Sequence, residues 1–291
     1  MDANLPKIIM KISFLIPSYN HSKFIQYTLD SIVKDVKLLD YEIIVIDDGS
    51  TDDSKQIINA WCERNKDANI EKIYRENKGL CVTLNELVRK SSGELVRICA
   101  SDDGVVIGSS AKILKKFESS LALDVVVGDA LTIDSNNNII NDSAVTQNGG
   151  NTKKMSQSEY LLKQEIVSNW SIPGPCFAIK KQVFKIVGDY SEDLVVEDWD
   201  FFLRVVASCS ICFIHEPIAF YRLHETNSCR TQNIDKRILN ISSQKTASYR
   251  YLNKFKGYLY LMLIKEFFIL SAKLVFLKII KAIKLQLPAN K

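Results

Sequence analysis

Apolar residues in the first hundred positions fall into short continuous blocks separated by longer amphipathic stretches. Ile8–Ile16, Glu42–Ile46, Ile70–Tyr74 and Leu95–Cys99 are dominated by Ile, Val and Leu, the composition of strands buried on both faces. The segments between them, Ser22 to about Lys37, Asp52 to about Arg64 and Leu80 to Val88, repeat apolar residues at helical spacing. Pro17 is expected to end the first strand and Ser22 to cap the first helix. Gly49 permits a turn after the second strand, and Ser92-Gly93 stops the third helix. Such alternation predicts an α/β fold: a mainly parallel mixed sheet flanked by helices on both faces.

Leu121–Asp134 continues as a strand, and Asn136–Thr152, rich in Asn, Ser and Gly, is expected to be a mobile loop beside the site. A helix over Ser156–Val167 follows, then a rigid turn, Ile172-Pro-Gly-Pro-Cys176, leading into a strand. Val196 opens another helix whose acidic first residues suit the positive end of its dipole. Ile211–Ile214 and Ile218–Tyr221 read as two further strands. Gly257–Leu287 is one long apolar helical pattern studded with lysines and stopped by Pro288. No internal repeat is visible. This divides the chain into a main domain, 1–230, and a C-terminal helical extension, 231–291.

With 46% hydrophobic and 25% charged residues, the 291-residue chain can bury a sizeable core. Its net charge of +4 is uneven: Arg250–Lys291 holds nine basic residues and one acidic residue, so the rest of the chain is net acidic. A basic tail of this kind suits an anionic surface, and a nucleic-acid partner is not expected. Seven cysteines, an odd number scattered among apolar residues, fit a reducing compartment. Cys209-Ser-Ile-Cys212 lacks the second pair that a zinc site requires. Lys11 breaks the N-terminal apolar stretch before it can read as a signal peptide, which makes a cytoplasmic location the expectation.

Three acidic clusters interrupt this apolar framework: Asp47-Asp48, Asp102-Asp103 and Glu197-Asp198. Taken singly, each has a bland reading as a solvated turn or a helix start. The first two follow strands, where open α/β sheets place their ligands. Hard divalent cations take oxygen donors of this type, with substrate phosphates completing the shell. No Gly-x-Gly-x-x-Gly follows the first strand, which argues against a dehydrogenase. Pro17-Ser-Tyr-Asn20 offers no Gly-rich basic loop of the kind a nucleotidyltransferase needs.

Six pieces in order carry a resemblance: Phe14-Leu-Ile-Pro-Ser-Tyr-Asn20, Glu42-Ile-Ile-Val-Ile-Asp-Asp-Gly-Ser-Thr51, Glu76-Asn-Lys-Gly-Leu80, Ala100-Ser-Asp-Asp103, Glu197-Asp-Trp-Asp200 and Tyr221-Arg-Leu-His224. Over roughly residues 10–230 the chain resembles the inverting family 2 glycosyltransferases of GT-A (Rossmann-like) fold, of the bacterial surface-polysaccharide type. The resemblance implies hexosyl transfer from a nucleotide-diphosphate sugar, UDP-linked by expectation, to a saccharide acceptor, with Mg²⁺ or Mn²⁺ as cofactor. It implies donor contacts at Pro17, Tyr19, Asn20, Asp47, Asp48, Asn77, Asp102 and Arg222. Asp103 is the first choice of metal ligand, with Asp102 and His224 beside it. Asp198 is implied as the general base, with Glu197 shaping acceptor binding. Ala100 stands where the family's usual acidic residue would be. That departure keeps a second reading open, a catalytically inactive nucleotide-sugar-binding or scaffold protein. Tyr19 as a packing residue, Asp47 as a turn residue and His224 as a satisfied surface or core histidine also remain open. Trp170 and Trp199 suit core packing better than sugar stacking.

In the C-terminal helix, Lys265, Glu266, Lys273 and Lys278 interrupt any run long enough to span a bilayer. Lys265, Lys273, Lys281 and Lys284 are expected on one side, mostly opposite Phe268, Val275, Phe276, Ile279 and Ile283, as in a helix lying in the interface of an anionic membrane. That placement suits a lipid-linked acceptor and a peripheral position on the inner face of a bacterial membrane. Packing on the catalytic body or on a second copy of the chain is the alternative.

Overall fold

The computed structural model describes residues 10–225 and 232–286. Its strands are β1 (Ile12–Ser18), β2 (Tyr41–Asp48), β3 (Ile70–Arg75), β4 (Leu95–Ile98), β5 (Gly104–Val105), β6 (Val125–Ile133), β7 (Ile139–Asn141), β8 (Phe177–Lys180) and β9 (Ile211–Arg222). They form one sheet in the order β3-β2-β1-β4-β8-β6-β9-β5, with β7 paired to β6. The N-terminal half is wholly parallel. Beyond β4 the sheet is mixed, because β8 runs antiparallel to both β4 and β6 while β9 is parallel to β6.

Side chains alternate strictly through the central strands. Ile12, Phe14 and Ile16 pack with Ile43 and Val45 on one face, beneath α1 (Ile25–Asp35), α2 (Ser54–Arg64) and α4 (Ser109–Glu118). Leu15 joins Ile44 and Ile46 on the other face, where α3 (Leu80–Lys90) and the C-terminal helices lie. Two-sided burial explains why these strands read as continuous apolar runs rather than alternating ones.

Several boundaries differ from the sequence reading. Pro17 lies within β1 rather than after it, and the helix begins at Ile25 without a side-chain cap. Ser22 instead donates its backbone N–H to Asp52 Oδ2. The two strands expected over 211–221 are one bent strand, β9, with register irregularities opposite Val127–Ala130. The segment expected to be a mobile loop holds β7, α5 (Ala144–Gln147) and α6 (Thr152–Met155). It is pinned: buried Asp129 accepts from Ser143 Oγ at 2.5 Å and Val145 N at 3.1 Å, and Asn148 Nδ2 donates to Ser171 O at 3.2 Å. Buried Ala144 and Val145 anchor it further.

The remaining helices are α7 (Glu159–Ser168), α8 (Val183–Val187), α9 (Glu197–Ser208), α10 (Ile234–Arg250) and α11 (Gly257–Gln286). Leu263 and Leu270 of α11 belong to the same core cluster as Leu162 of α7 and Phe202 of α9, so the extension is seated on the body. Lys281 of α11 pairs with Asp235 of α10 at 2.5 Å. The lysines therefore do not form one side opposite the apolar residues: Lys281 faces the body, and Lys265 is exposed on the same face as Leu261, Phe268, Ile279 and Ile283. Lys284's side chain and Pro288 lie outside the described residues. Among those described, no helix is long and apolar enough to cross a membrane.

Candidate active site

Parallel pairing of β2, β1 and β4 brings their C-terminal ends to one edge of the sheet. Asp47 and Asp48 close β2, Ser18 sits opposite Asp47, and Ser101 N donates to Pro17 O at 3.3 Å. Asn20, in a left-handed conformation at φ 54°, accepts from Thr51 N at 2.8 Å and donates its backbone N–H to Ser50 Oγ at 2.8 Å. The loops after β1 and β2 are thus tied together, leaving Tyr19 48% exposed at the rim.

Of the first acidic pair, Asp47 accepts from Ser50 N at 2.9 Å and Ser50 Oγ at 2.7 Å. Asp48 accepts from the Arg75 guanidinium and from Lys78 N and Gly79 N, both at 2.9 Å. That carboxylate shapes the loop carrying Asn77. Gly49 is required here: at φ +78°, a Cβ would stand 2.7 Å from Asn77 N.

The second pair is braced from behind. Thr28 Oγ1 donates to Ser101 O and Asp103 O at 3.0 and 2.6 Å. Fully buried Arg222 donates from N to Asp103 Oδ1 at 2.9 Å, from Nε to Asp102 O at 2.7 Å and from Nη1 to Asp134 O at 2.7 Å. Its guanidinium also lies over Phe24 and Tyr27, 4.8 and 4.9 Å from the ring centres. Arg222 therefore sits behind the acidic loop and knits it to β9 and α1.

The two carboxylates consequently face different neighbours. Burial and the charge of Asp102 push Asp103 well above the usual carboxylate range, against the opposing pull of Arg222. Burial also works against ionisation of Asp102, but the hydrogen bond from His224 and the nearby imidazoles outweigh it and lower its pKa. Asp102 Oδ2 is 2.9 Å from His224 Nε2, and Oδ1 is 3.7 Å from His21 Nδ1. Donor atoms of His21, Asp102 and His224 all lie within 4.8 Å of one another, a group able to hold a metal ion. Asp103, the first choice from sequence, is not in that group. His21, missed in the sequence, is. Its signal was its place directly after Asn20 in a chain with only three histidines.

Glu197 and Asp198 reach the same edge by another route. Because β8 is antiparallel to β4, its start and the preceding turn, Gly174–Cys176, lie at β4's C-terminal end. A Cβ on Gly174 would meet Asp198 Oδ2 at 3.5 Å, and Asp198 adds to the repulsion that raises Asp103. Burial lifts Asp198 to about 6. Burial and then the adjacent Asp198 lift Glu197 to about 8. The flanking residues of α9 are structural: Trp199 Nε1 donates to Ile166 O at 2.8 Å, and buried Asp200 accepts from Arg204 and Ser191. Trp170 stacks on Phe177 in the core, with centroids 5.9 Å apart.

The glycosyl transferase family 2 model matches residues 13–187. An uncharacterized glycosyltransferase of Nostoc sp. is 27% identical over 228 residues, 75% of this chain and 66% of that protein, so the match spans just under two thirds of its length. The structure of Staphylococcus aureus TarS residues 1–349 in complex with UDP-GlcNAc superposes with a TM-score of 0.66 at 21% identity, covering 89% of this chain and 72% of that one. A mannosyltransferase from Pyrobaculum calidifontis, in complex with GDP-Man and Mn²⁺, gives 0.65 at 15% identity, covering 96% and 76%. At these identities the two structures speak for the GT-A-like fold.

Proposed function

The chain belongs to glycosyl transferase family 2, and from that premise we propose that it moves a hexose from a nucleotide-diphosphate sugar, UDP-linked by preference, to a saccharide acceptor with inversion at the anomeric carbon. The observation that supports this reading is that Asp198, beside the Gly174–Cys176 turn, stands near enough to the Asp102–Asp103 loop for its charge to help raise Asp103. Inversion by in-line displacement needs one base at the acceptor hydroxyl. Asp198 has that role: with a pKa of about 6 it is mostly ionised at neutral pH, yet basic enough to take a proton. Glu197, near 8, is mostly protonated there and donates a hydrogen bond to the acceptor. Tyr19 offers its ring to the base, and Asn20, Asp47 and Asn77 form the floor of the nucleotide subsite. Asp48 and Arg222 support that subsite by fixing its loops. A carboxylate beside an imidazole suits a divalent cation, so Asp102 and His224 would hold one, and it would neutralise the departing diphosphate as a Lewis acid.

The acceptor is proposed to be lipid-linked, because α11 presents an exposed apolar stripe of Leu261, Phe268, Val275, Phe276, Ile279 and Ile283. At helical spacing these cover about 100° of arc. Lys265 lies within the stripe, with exposed Lys273 and Lys278 at its borders. Apolar burial combined with cationic borders matches an anionic bilayer surface, such as the inner face of a bacterial membrane. The test of the enzymatic reading is a screen of UDP- and GDP-linked hexoses with Mn²⁺ or Mg²⁺, with and without saccharide acceptors. The expected result is cation-stimulated release of the nucleoside diphosphate from one donor class. Tight nucleotide-sugar binding with no turnover on any acceptor tried would overturn it.

A further inference from the structure

We propose that His21 is the third protein ligand of the cation site, filling the corner left by Ala100, and that the resulting nitrogen-rich shell selects Mn²⁺ over Mg²⁺. The inference rests on the metal-assisted reading above. Ala100 has no donor, and of the two carboxylates in the loop after β4 it is Asp102 whose oxygen lies within 4.8 Å of both imidazole nitrogens, while Asp103 Oδ1 accepts from the Arg222 backbone N–H. The loop after β1 faces it with His21. Asp102 lies between the two imidazoles, 2.9 Å from one and 3.7 Å from the other. The rings themselves are 5.7 Å apart and edge to face.

This group is preorganised. His21 begins the turn into α1, its carbonyl accepting from Phe24 N and Ile25 N at 2.9 and 3.0 Å. Its own N–H donates to Ser54 Oγ at 3.1 Å, and its Nδ1 is 2.8 Å from Ser101 Oγ. Phe24 packs against both rings, at 6.2 and 5.0 Å. The His21 side chain remains 23% exposed, so solvent reaches it. Two imidazoles and one carboxylate form a borderline donor set. Mg²⁺ prefers oxygen and gives up its waters reluctantly, whereas a first-row transition ion gains from nitrogen donors.

The experiment uses the full chain with Mn²⁺ and UDP, reading nitrogen hyperfine couplings by pulsed electron paramagnetic resonance and Mg²⁺ affinity by competition. The expected outcome is ¹⁴N coupling from two imidazoles in the unaltered protein, with Mn²⁺ held at least about tenfold tighter than Mg²⁺. His21→Gln is expected to remove one coupling and narrow that preference about tenfold. Should Mn²⁺ bind without nitrogen coupling, or His21→Gln leave the preference unchanged, the inference fails while the metal-assisted reading survives. If neither cation binds in the presence of UDP, both fail. The spectrum of the unaltered chain decides the ligand set even if the variant does not fold.

Discussion

Replacing Asp198 by Asn separates catalysis from architecture more cleanly than any other change at this site. The substitution keeps the side chain's shape and removes its ability to accept a proton. A positioned general base contributes about 10²- to 10⁴-fold, so kcat/KM should fall by that factor, equivalent to about 3–5 kcal/mol of transition-state stabilisation. In the unaltered protein the ionised fraction of Asp198 drops about tenfold between one pH unit above 6 and one below. The acid limb of the rate profile should therefore turn over near 6. A second limb near 8 should report Glu197, ionising as pH rises and ceasing to donate. Glu197→Gln, a permanent donor, should abolish the upper limb and leave the lower one in place.

Stability should move the other way, which is what makes the test discriminating. A carboxyl whose folded pKa is raised holds its proton more tightly than in the unfolded chain. Its contribution to folding is fully present below the ordinary value of 3.8 and is lost as pH rises through about 6. Above that pH, Asp198→Asn removes a partly buried charge, and its Tm should equal or exceed that of the parent. The assay pairs nucleoside diphosphate release against pH with thermal unfolding of both variants. A rate profile flat through 6, or an Asn variant that loses Tm and activity together, would refute the role assigned to Asp198.

At the opposite end of the sheet, Glu42 should govern acid stability. Burial opposes its ionisation, but hydrogen bonds from Lys11, Ser13 and Ser92 prevail and lower it from 4.5 to about 2. Ionised Glu42 thus adds stability above pH 4.5 that is lost as pH falls toward 2, on the order of 1 kcal/mol once solvent screening is allowed for; Glu42→Gln should lower neutral-pH stability by about that amount in urea titrations, leaving the pKa values near 6 and 8 unmoved. On α11, serine at Phe268, Phe276 and Ile279 should release the protein from phosphatidylglycerol vesicles in a sedimentation assay without lowering transfer to a soluble acceptor. Unchanged sedimentation would remove the membrane proposal. Substitution is the better test because deleting α11 would uncover the core where Leu263 and Leu270 pack.

What could be read from the chain and what could not divide along a physical line. Apolar blocks at Phe14, Ile44 and Val96 carry their own evidence of burial, so the parallel half of the sheet and the edge bearing Asp48 and Asp102 follow from local pattern. Antiparallel β8 is less legible, because four residues can pair in either direction and only the fold decides. Polar residues were hardest. Asp102 and Asp103 are neighbours in one loop, yet one carboxylate meets imidazoles and the other a backbone N–H, a distinction set by β9 some 120 residues later. Asn136–Thr152 looked loose by composition because Asp129, whose hydrogen bonds hold it, lies outside that window.

The same long-range dependence governs the proposed cation site. Ala100 read in isolation suggests a weakened or abandoned centre, since the loop loses a carboxylate. Only when the turn after β1 is folded onto that loop does His21 come within reach of Asp102 and His224. A site assembled from three separate segments, β1's end, β4's end and β9's end, can lose a donor in one and regain it from another. Residue type at one motif position is therefore a poor index of whether the centre works. On this proposal the donor set assembled at the edge decides which ion is taken, and His21→Gln, with Ala100 left as it is, asks that question of the protein directly.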